Sequence, residues 1–237
     1  MESLVNPIRI GGIERFSIVD FPNRMACVVF MQGCPWRCPF CHNTFLQEMN
    51  ADTDIVWHKV VDFLGKRKGM LDAVVFSGGE PLAQKGLVSA IKEVKALGYE
   101  VGLHTGGYNP SFFREVVELV DWVGFDIKAP LREDRYKAVT GGIANVEKVK
   151  ESLNILIESG KNFECRTTCD PRFLSVDDLY EIADCLKDLG VKEYYLQKYR
   201  KVESDIDASE EKSLALVEND ELNEYLSKSF KIFEVRK

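Results

Sequence analysis

No run among the 237 residues approaches the ~20 consecutive apolar positions a helix needs to cross a bilayer. The opening residues, Met1-Glu-Ser-Leu-Val-Asn-Pro-Ile-Arg-Ile10, carry neither a basic lead nor an apolar signal core, so the expected location is the cytoplasm, with no membrane partner. Long runs of Lys and Arg are also missing, and the formal net charge is -7. Nucleic acid is thereby disfavoured as the main partner, because phosphate contact needs clustered cations. No low-complexity segment interrupts the chain. The seven cysteines lack the spacing of a disulfide framework, which fits a reducing compartment. A hydrophobic share of 45% and a charged share of 29% suit an ordinary globular protein, with one large domain or two small ones.

What is present is a concentration of thiols. Gly33-Cys34-Pro35-Trp36-Arg37-Cys38-Pro39-Phe40-Cys41-His42-Asn43 holds three cysteines spaced C-x3-C-x2-C. Such a loop brings three thiolates to one point without long-range folding, and thiolate selects zinc, copper(I) or an iron–sulfur cluster. A cubane cluster usually takes four cysteines. Three would leave one iron without a protein ligand, and an open position is what separates a catalytic metal site from a closed structural one. Three other readings compete on the loop alone. Cys38-Pro-Phe-Cys41-His42 also fits haem attachment, Cys34, Cys38, Cys41 and His42 also make a Cys3His zinc set, and Cys38 with Cys41 also makes a redox dithiol. The first leaves Cys34 unexplained, and the second needs adjacent residues as tetrahedral ligands.

The rest of the chain repeats one unit. After a short strand at 8–13 and a turn-rich lead-in at 16–23, apolar runs at 25–31, 73–77, 100–105, 122–127, 163–167 and 193–197 read as strands buried on both faces. Helices separate them, with Asp54, Asn109, Asn145 and Ser175 as caps and Gly65, Gly98, Gly160 and Gly190 as stops. Residues 132–142 read as a long loop, 202–214 as an acidic, mobile connection, 219–227 as a helix and 230–235 as a last strand. Six strand–helix units imply an α/β fold, a parallel sheet with helices outside. Right-handed crossovers curl such a sheet in one direction. Six are fewer than the eight of a closed barrel. From periodicity alone an open doubly wound sheet is the alternative.

The chemistry-bearing residues fall where such folds place their sites, at the C-terminal ends of strands. Cys34, Cys38 and Cys41 follow the first of the six; Gly78, Gly79 and Glu80 the second. His104 and Thr105 end the third, Asp126 and Lys128 the fourth, Arg166 lies near the end of the fifth and Gln197 closes the sixth. Each has a bland alternative: Gly-Gly-Glu-Pro as a turn, His104 as a packed ring, Arg166 as a salt-bridge partner of Asp126 or Glu80. Cys27, Cys165, Cys169 and Cys185 read as structural, and Lys66-Arg67-Lys68 as a solvated turn that could steer a partner.

The cysteine loop resembles that of the radical S-adenosylmethionine enzymes, whose pattern is C-x3-C-x-aromatic-C, with Phe40 as the aromatic. With Gln32-Gly33-Cys34-Pro35 before it and Cys41-His42-Asn43 after, it is more narrowly similar to the activases of glycyl-radical enzymes. That resemblance implies an open, partial (βα)6 barrel over residues 1–200, with 201–237 as a C-terminal extension packed on the same domain. It implies one 4Fe-4S cluster on Cys34, Cys38 and Cys41, S-adenosyl-L-methionine as the second cofactor, and Lys128 beside the cysteines in catalysis. Ser77-Gly-Gly-Glu-Pro81 resembles the segment that holds the methionyl amino group, and Glu80 suits an ammonium. Arg166 and Lys128 suit a carboxylate, and Lys128 also a ribose. Phe40 and Gln197 flank the adenine, while His42, Thr105 and Asp126 complete the cofactor contacts. The activity implied is reductive cleavage of S-adenosylmethionine followed by hydrogen abstraction from a partner's glycine. A flavodoxin- or ferredoxin-like protein would supply the electron. His104-Thr105-Gly106 and Asp121-Trp-Val-Gly-Phe-Asp-Ile-Lys-Ala-Pro130 look most like the activases of anaerobic ribonucleoside-triphosphate reductase. Pyruvate formate-lyase activases instead have Asp-Thr at 104–105 and use the acid at a cation site, which His104 puts in doubt.

Overall fold

The computed structural model describes residues 8–202 and 205–237. The chain divides into two compact units. The first takes residues up to Pro35, Asn43–Gly124 and Glu151–Asn162; the second takes Trp36–His42, Phe125–Lys150 and Phe163–Lys237.

In the first unit, β1 (Ile10–Ser17) runs antiparallel to β2 (Ala26–Met31), followed in parallel by β3 (Ala73–Gly78) and β4 (Glu100–Thr105). Ala26 to Val29 are all buried, as an uninterrupted apolar run demands, and Cys27 is a core residue whose thiol burial pushes up to about 12. The turn between β1 and β2 carries Asn23 at φ 58, a left-handed position that asparagine tolerates. Phe16 and Ser17, expected in the lead-in, instead continue β1. Helix α1 (Trp57–Gly65) starts later than an Asp54 cap requires. The reason is local: Ile55 is held extended in a bridge with Ile10. Helices α2 (Leu87–Ala96) and α3 (Pro110–Val117) match expectation, and Asn109 caps α3 by accepting from the Phe112 N–H at 3.2 Å. Phe21, Val28, Val75 and Trp122 form a core cluster.

Strand β5 (Trp122–Asp126) crosses the division between the units, as does α5 (Val146–Glu158), which follows α4 (Glu133–Val139). In the second unit β6 (Asn162–Cys169), β7 (Glu193–Lys198) and β8 (Ile232–Arg236) are parallel neighbours. Helix α6 (Val176–Asp188) opens with the expected capping box of Ser175 and Asp178. Helices α7 (Glu210–Val217) and α8 (Asp220–Ser229) precede β8. Two stretches read as irregular are ordered. Residues 132–142 contain α4, which buries Tyr136 and Val139 one turn apart. Residues 202–214 contain most of α7, capped by Ser209, and Asp205 takes Arg172 and the Tyr199 hydroxyl at 2.6 Å each. Glu203 and Ser204, within the expected connection, lie outside the described residues.

Strand order follows chain order with β1 and β8 as the two edges, so the sheet is not closed into a barrel. That order also removes the doubly wound alternative, in which order reverses partway across the sheet.

The last strand carries an ion pair whose acid is buried and whose cation is half-buried. Arg236 meets the fully buried Glu164 through two bonds of 2.5 and 2.8 Å and lies 3.8 Å from the Tyr195 ring centre. Arg236→Met would leave that carboxylate buried without its cation, at a cost of about 3–5 kcal/mol. Urea unfolding should show this loss, and adding Glu164→Gln should recover part of it.

Candidate active site

The cysteine loop leaves β2 through Gln32 and Gly33, and in the first unit its two limbs are stitched together. The Gln32 amide donates to the carbonyls of Phe45 (3.1 Å) and Glu48 (2.9 Å). The Gly33 N–H donates to Leu46 (2.8 Å) and the Cys34 N–H to Gln47 (3.2 Å). Gln84 locks the base, donating to the carbonyls of Gln32 (2.8 Å) and Arg9 (2.9 Å) and accepting from the Arg9 N–H (2.7 Å).

The Gly78-Gly79-Glu80 turn presses on this loop. Gly78 has φ 104, and a Cβ there would come 2.4 Å from the Met31 nitrogen. A Cβ on Gly79 would come 2.2 Å from the Gly33 carbonyl oxygen. The close approach these glycines permit is therefore to the chain itself. Glu80 donates its N–H to the Gly33 carbonyl at 2.9 Å, and its buried carboxylate gathers Thr105 Oγ1 (2.6 Å), the Gly106 N–H (2.9 Å) and the Leu82 N–H (3.0 Å). One carboxylate thus ties the end of β3 to the end of β4. His104 is packed: Nε2 lies 2.9 Å from the Asp20 carbonyl, and the ring meets Trp122 edge-on at 5.6 Å. A carbonyl only accepts, so Nε2 carries the proton.

In the second unit the loop continues through Trp36, Cys38, Phe40, Cys41 and His42. The Arg37 N–H donates to Thr140 at 3.0 Å, just past α4, and Gly141 (φ 73) leaves room for Arg37, whose Cβ a side chain there would approach to 2.7 Å. Lys128 Nζ lies 5.7 Å from the centre of the buried Trp36 ring, and the Lys128 N–H donates to the Tyr136 hydroxyl at 3.2 Å. Cys38 is buried, which pushes its thiol up, while the Lys128 ammonium pulls the other way and favours thiolate. The Cys41 N–H donates to the Cys38 carbonyl at 3.1 Å. Phe40 packs on Phe173 at 6.2 Å, and Phe173 lines a recess of about 440 Å³ with Arg132, Arg135 and Arg172. Arg166 donates to Asp126 Oδ1 through Nε (3.0 Å) and a terminal nitrogen (2.8 Å), and Lys128 Nζ lies 3.5 Å from Oδ2. Asp126 is thus already matched by two cations. His42 is exposed, and Gln197 is half-buried opposite Thr168 and Arg236.

The structure therefore joins Glu80 to Thr105, and Asp126 to Lys128 and Arg166. Trp36, Tyr136, Gln84 and Phe173 were not singled out beforehand. Tyr136 had a signal, the Tyr136/Val139 spacing of a short buried helix face; Gln84 had none, since its partners, Arg9 and Gln32, come from two distant segments.

The cysteine loop also bears on the group it would hold. None of its three cysteines is disulfide-bonded, and the donor set is soft, as an iron–sulfur cluster requires. Among the described residues, no three His, Cys, Asp or Glu side chains already converge at metal-ligating distance. No helix among the described residues is long and apolar enough to cross a membrane.

An unclosed α/β sheet with three clustered cysteines after β2 and a Gly-Gly-Glu turn after β3 defines a class, and the chain belongs to the Radical SAM superfamily, whose sequence model matches residues 28–169. Within it the relatives are narrower. The chain is 32% identical over 224 residues to a Methanocaldococcus jannaschii protein named as a glycyl-radical enzyme activating enzyme, covering 91% of this chain and 89% of that one. It is 32% identical over 158 residues to the pyruvate formate-lyase-activating enzyme of Clostridium pasteurianum, covering 63% and 66%. Streptococcus suis SuiB bound to S-adenosylmethionine shares the fold, with a TM-score of 0.67, 16% identity, and 87% of this chain and 48% of that one covered. This is an enzyme of the glycyl-radical activating kind, and its family uses a 4Fe-4S cluster and S-adenosylmethionine.

Proposed function

We propose that the glycyl-radical enzyme activated by this protein is an anaerobic ribonucleoside-triphosphate reductase. The observation that carries this reading is His104. Pyruvate formate-lyase activases have an acid there, suited to a cation; here a ring with its Nε2 proton committed to Asp20 fills the position. A second reading, activation of pyruvate formate-lyase, is favoured by the similarity to activating enzymes of that name.

Cys34, Cys38 and Cys41 would hold the cluster through their three thiolates. The cluster supplies, when bound, the single electron that breaks the sulfonium bond. Lys128 steadies the Cys38 thiolate electrostatically and offers its ammonium to a carboxylate or ribose. Glu80 fixes the glycine turn whose carbonyls receive the methionyl ammonium. Arg166, oriented by Asp126, presents a cation to the carboxylate. Phe40, stacked on Phe173, and Gln197 receive the adenine, with His42 and Thr105 beside the cofactor. The electron comes from a flavodoxin- or ferredoxin-like donor in the cytoplasm. Residues 1–200 form the working domain, with 201–237 packed on it as an extension.

Mixing the reduced, reconstituted protein with S-adenosylmethionine and each candidate enzyme in turn tests the partner. A glycyl radical seen by electron paramagnetic resonance on the reductase, at a rate at least about tenfold above that on pyruvate formate-lyase, is the expected result. A radical on pyruvate formate-lyase alone would establish the second reading.

A further inference from the structure

Five of the nine large apolar side chains exposed among the described residues share one end of the first unit: Phe16, Ile18, Val19, Met25 and Met70. They belong to the end of β1, the turn after it and the turn that enters β3. Register and hydrogen bonds hold these segments side by side. Ser17 faces Ala26, the Met25 N–H donates to the Asp72 carboxylate at 2.9 Å, and the Asp72 N–H donates to the Met25 carbonyl at 2.8 Å. Because β2 and β3 start here and deliver Gly33 and Glu80 at their other ends, the patch lies at the far end of these strands from the cysteine loop. Single exposed apolar residues need no explanation; a contiguous group does.

Cations rim this patch. The guanidinium carbons of Arg15, on β1, and Arg67, after α1, lie 5.8 and 5.3 Å from the centre of one ring, Phe63. Arg67 also reaches the Met70 sulfur at 4.0 Å, joining the cations to the apolar group. Lys66 and Lys68 flank it on an exposed turn closed by bonds from the Arg67 N–H to Leu64 and from the Met70 N–H to Arg67, each 2.9 Å. Cations at the end of α1 complement the helix dipole. That does not account for Arg15, which comes from a different element and adds like charge at the same ring. None of the four has a carboxylate partner among the described residues. The nearby Glu14 accepts from the Phe16 N–H at 3.3 Å instead. On a chain of net charge -7, four exposed cations without a carboxylate partner among the described residues stand here beside the Glu14 and Asp72 carboxylates, which are spent on backbone N–H groups. An apolar centre with a charged rim is the anatomy of a protein–protein contact.

We propose that this end of the first unit is a docking surface for an acidic, apolar-centred patch on the glycyl-radical enzyme that the protein activates. The proposal rests on the activase reading. An anchor remote from the cysteine loop suits such a reaction, because it sets affinity and encounter rate for a large partner while leaving the chemistry at the loop unaltered.

The test uses the reconstituted full chain, Arg15→Glu/Arg67→Glu, and Arg15→Gln/Arg67→Gln as a milder pair that preserves packing on Phe63. Binding to the reductase and to pyruvate formate-lyase is measured by biolayer interferometry across ionic strengths. Release of 5′-deoxyadenosine without any partner is measured in parallel. The charge-reversed pair should bind the partner roughly tenfold more weakly or worse, and the glutamine pair should fall between it and wild type. Wild-type affinity should fall with salt while that of the reversed pair does not, and partner-free 5′-deoxyadenosine should be unchanged. Equal affinity and salt slope in all three proteins would overturn the proposal, as would wild type binding neither enzyme. So would wild-type self-association that the reversal abolishes, or wild-type sedimentation with phosphatidylserine vesicles that the reversal prevents, since either names a different occupant. A wild type that releases no 5′-deoxyadenosine would sink the activase reading by itself, because the binding measurement needs no turnover.

Discussion

Cys38→Ala, reconstituted anaerobically with iron and sulfide, should retain no stable four-iron cluster and release no measurable 5′-deoxyadenosine from S-adenosylmethionine and dithionite. The argument is one of ligand number. The loop offers three thiols, so removal of one leaves two. Altering a group that merely orients a metal ligand already costs about 10–100-fold in affinity or activity, and loss of a ligand exceeds that. Cys38 is the informative choice because it is buried, whereas Cys34 and Cys41 are half-buried. Cys185→Ser, on α6, is the control and should behave as wild type. Iron and sulfide analysis with quantified 5′-deoxyadenosine decides the matter: a Cys38→Ala protein with full cluster content would remove the three-cysteine assignment.

The next largest effect is expected from Glu80→Gln. The carboxylate receives Thr105 Oγ1, the Gly106 N–H and the Leu82 N–H, and almost none of it meets solvent. An amide keeps the shape, but its NH2 cannot accept, so one of the three donors loses its partner. Hydrogen bonds to a charged group contribute about 1.5–3 kcal/mol, which sets the expected loss of stability in thermal or urea unfolding. The functional consequence should be larger than the shift in stability suggests. Glu80 also anchors Gly33 through its own N–H, so a displaced turn disturbs the glycines proposed to face the methionyl ammonium. Apparent KM for S-adenosylmethionine should rise about tenfold or more while iron content stays at the wild-type level. An unchanged KM beside a lowered unfolding midpoint would confine Glu80 to holding β3 and β4 together.

Local rules carried much of the architecture into the sequence. The run before the cysteine loop, the Asn109-Pro110 start of α3 and the Ser175/Asp178 capping box needed only neighbouring residues, and each element lies where those residues place it. What local rules left out was decided at a distance. Asp54 has the right chemistry for a cap, yet Ile55 is claimed by Ile10. Helix α4 is two turns of mostly charged residues whose identity rests on burying Tyr136 and Val139. The site shows the same division. The cysteine spacing and the polar strand ends were legible, because strand polarity and loop spacing are local facts. That Glu80 would pair with Thr105, or that Gly79 would make room for Gly33 rather than for a ligand, depends on strand register, which single-strand patterns do not encode.

The Glu164–Arg236 pair has a meaning in the order of synthesis. Its members are 72 positions apart, and the acid is made first. A chain emerging from the ribosome presents Glu164 with β6 long before its cation exists, and a carboxylate does not enter an apolar interior unpaired. The second unit therefore cannot settle strand by strand as it is made. It must wait, with β6 and β7 unfinished, for the segment that brings Arg236. The first unit, whose last segment ends at Asn162, is fully translated before Arg236 and can mature earlier. The expected order of assembly is then the first unit before the second, with Arg236 completing the later stage.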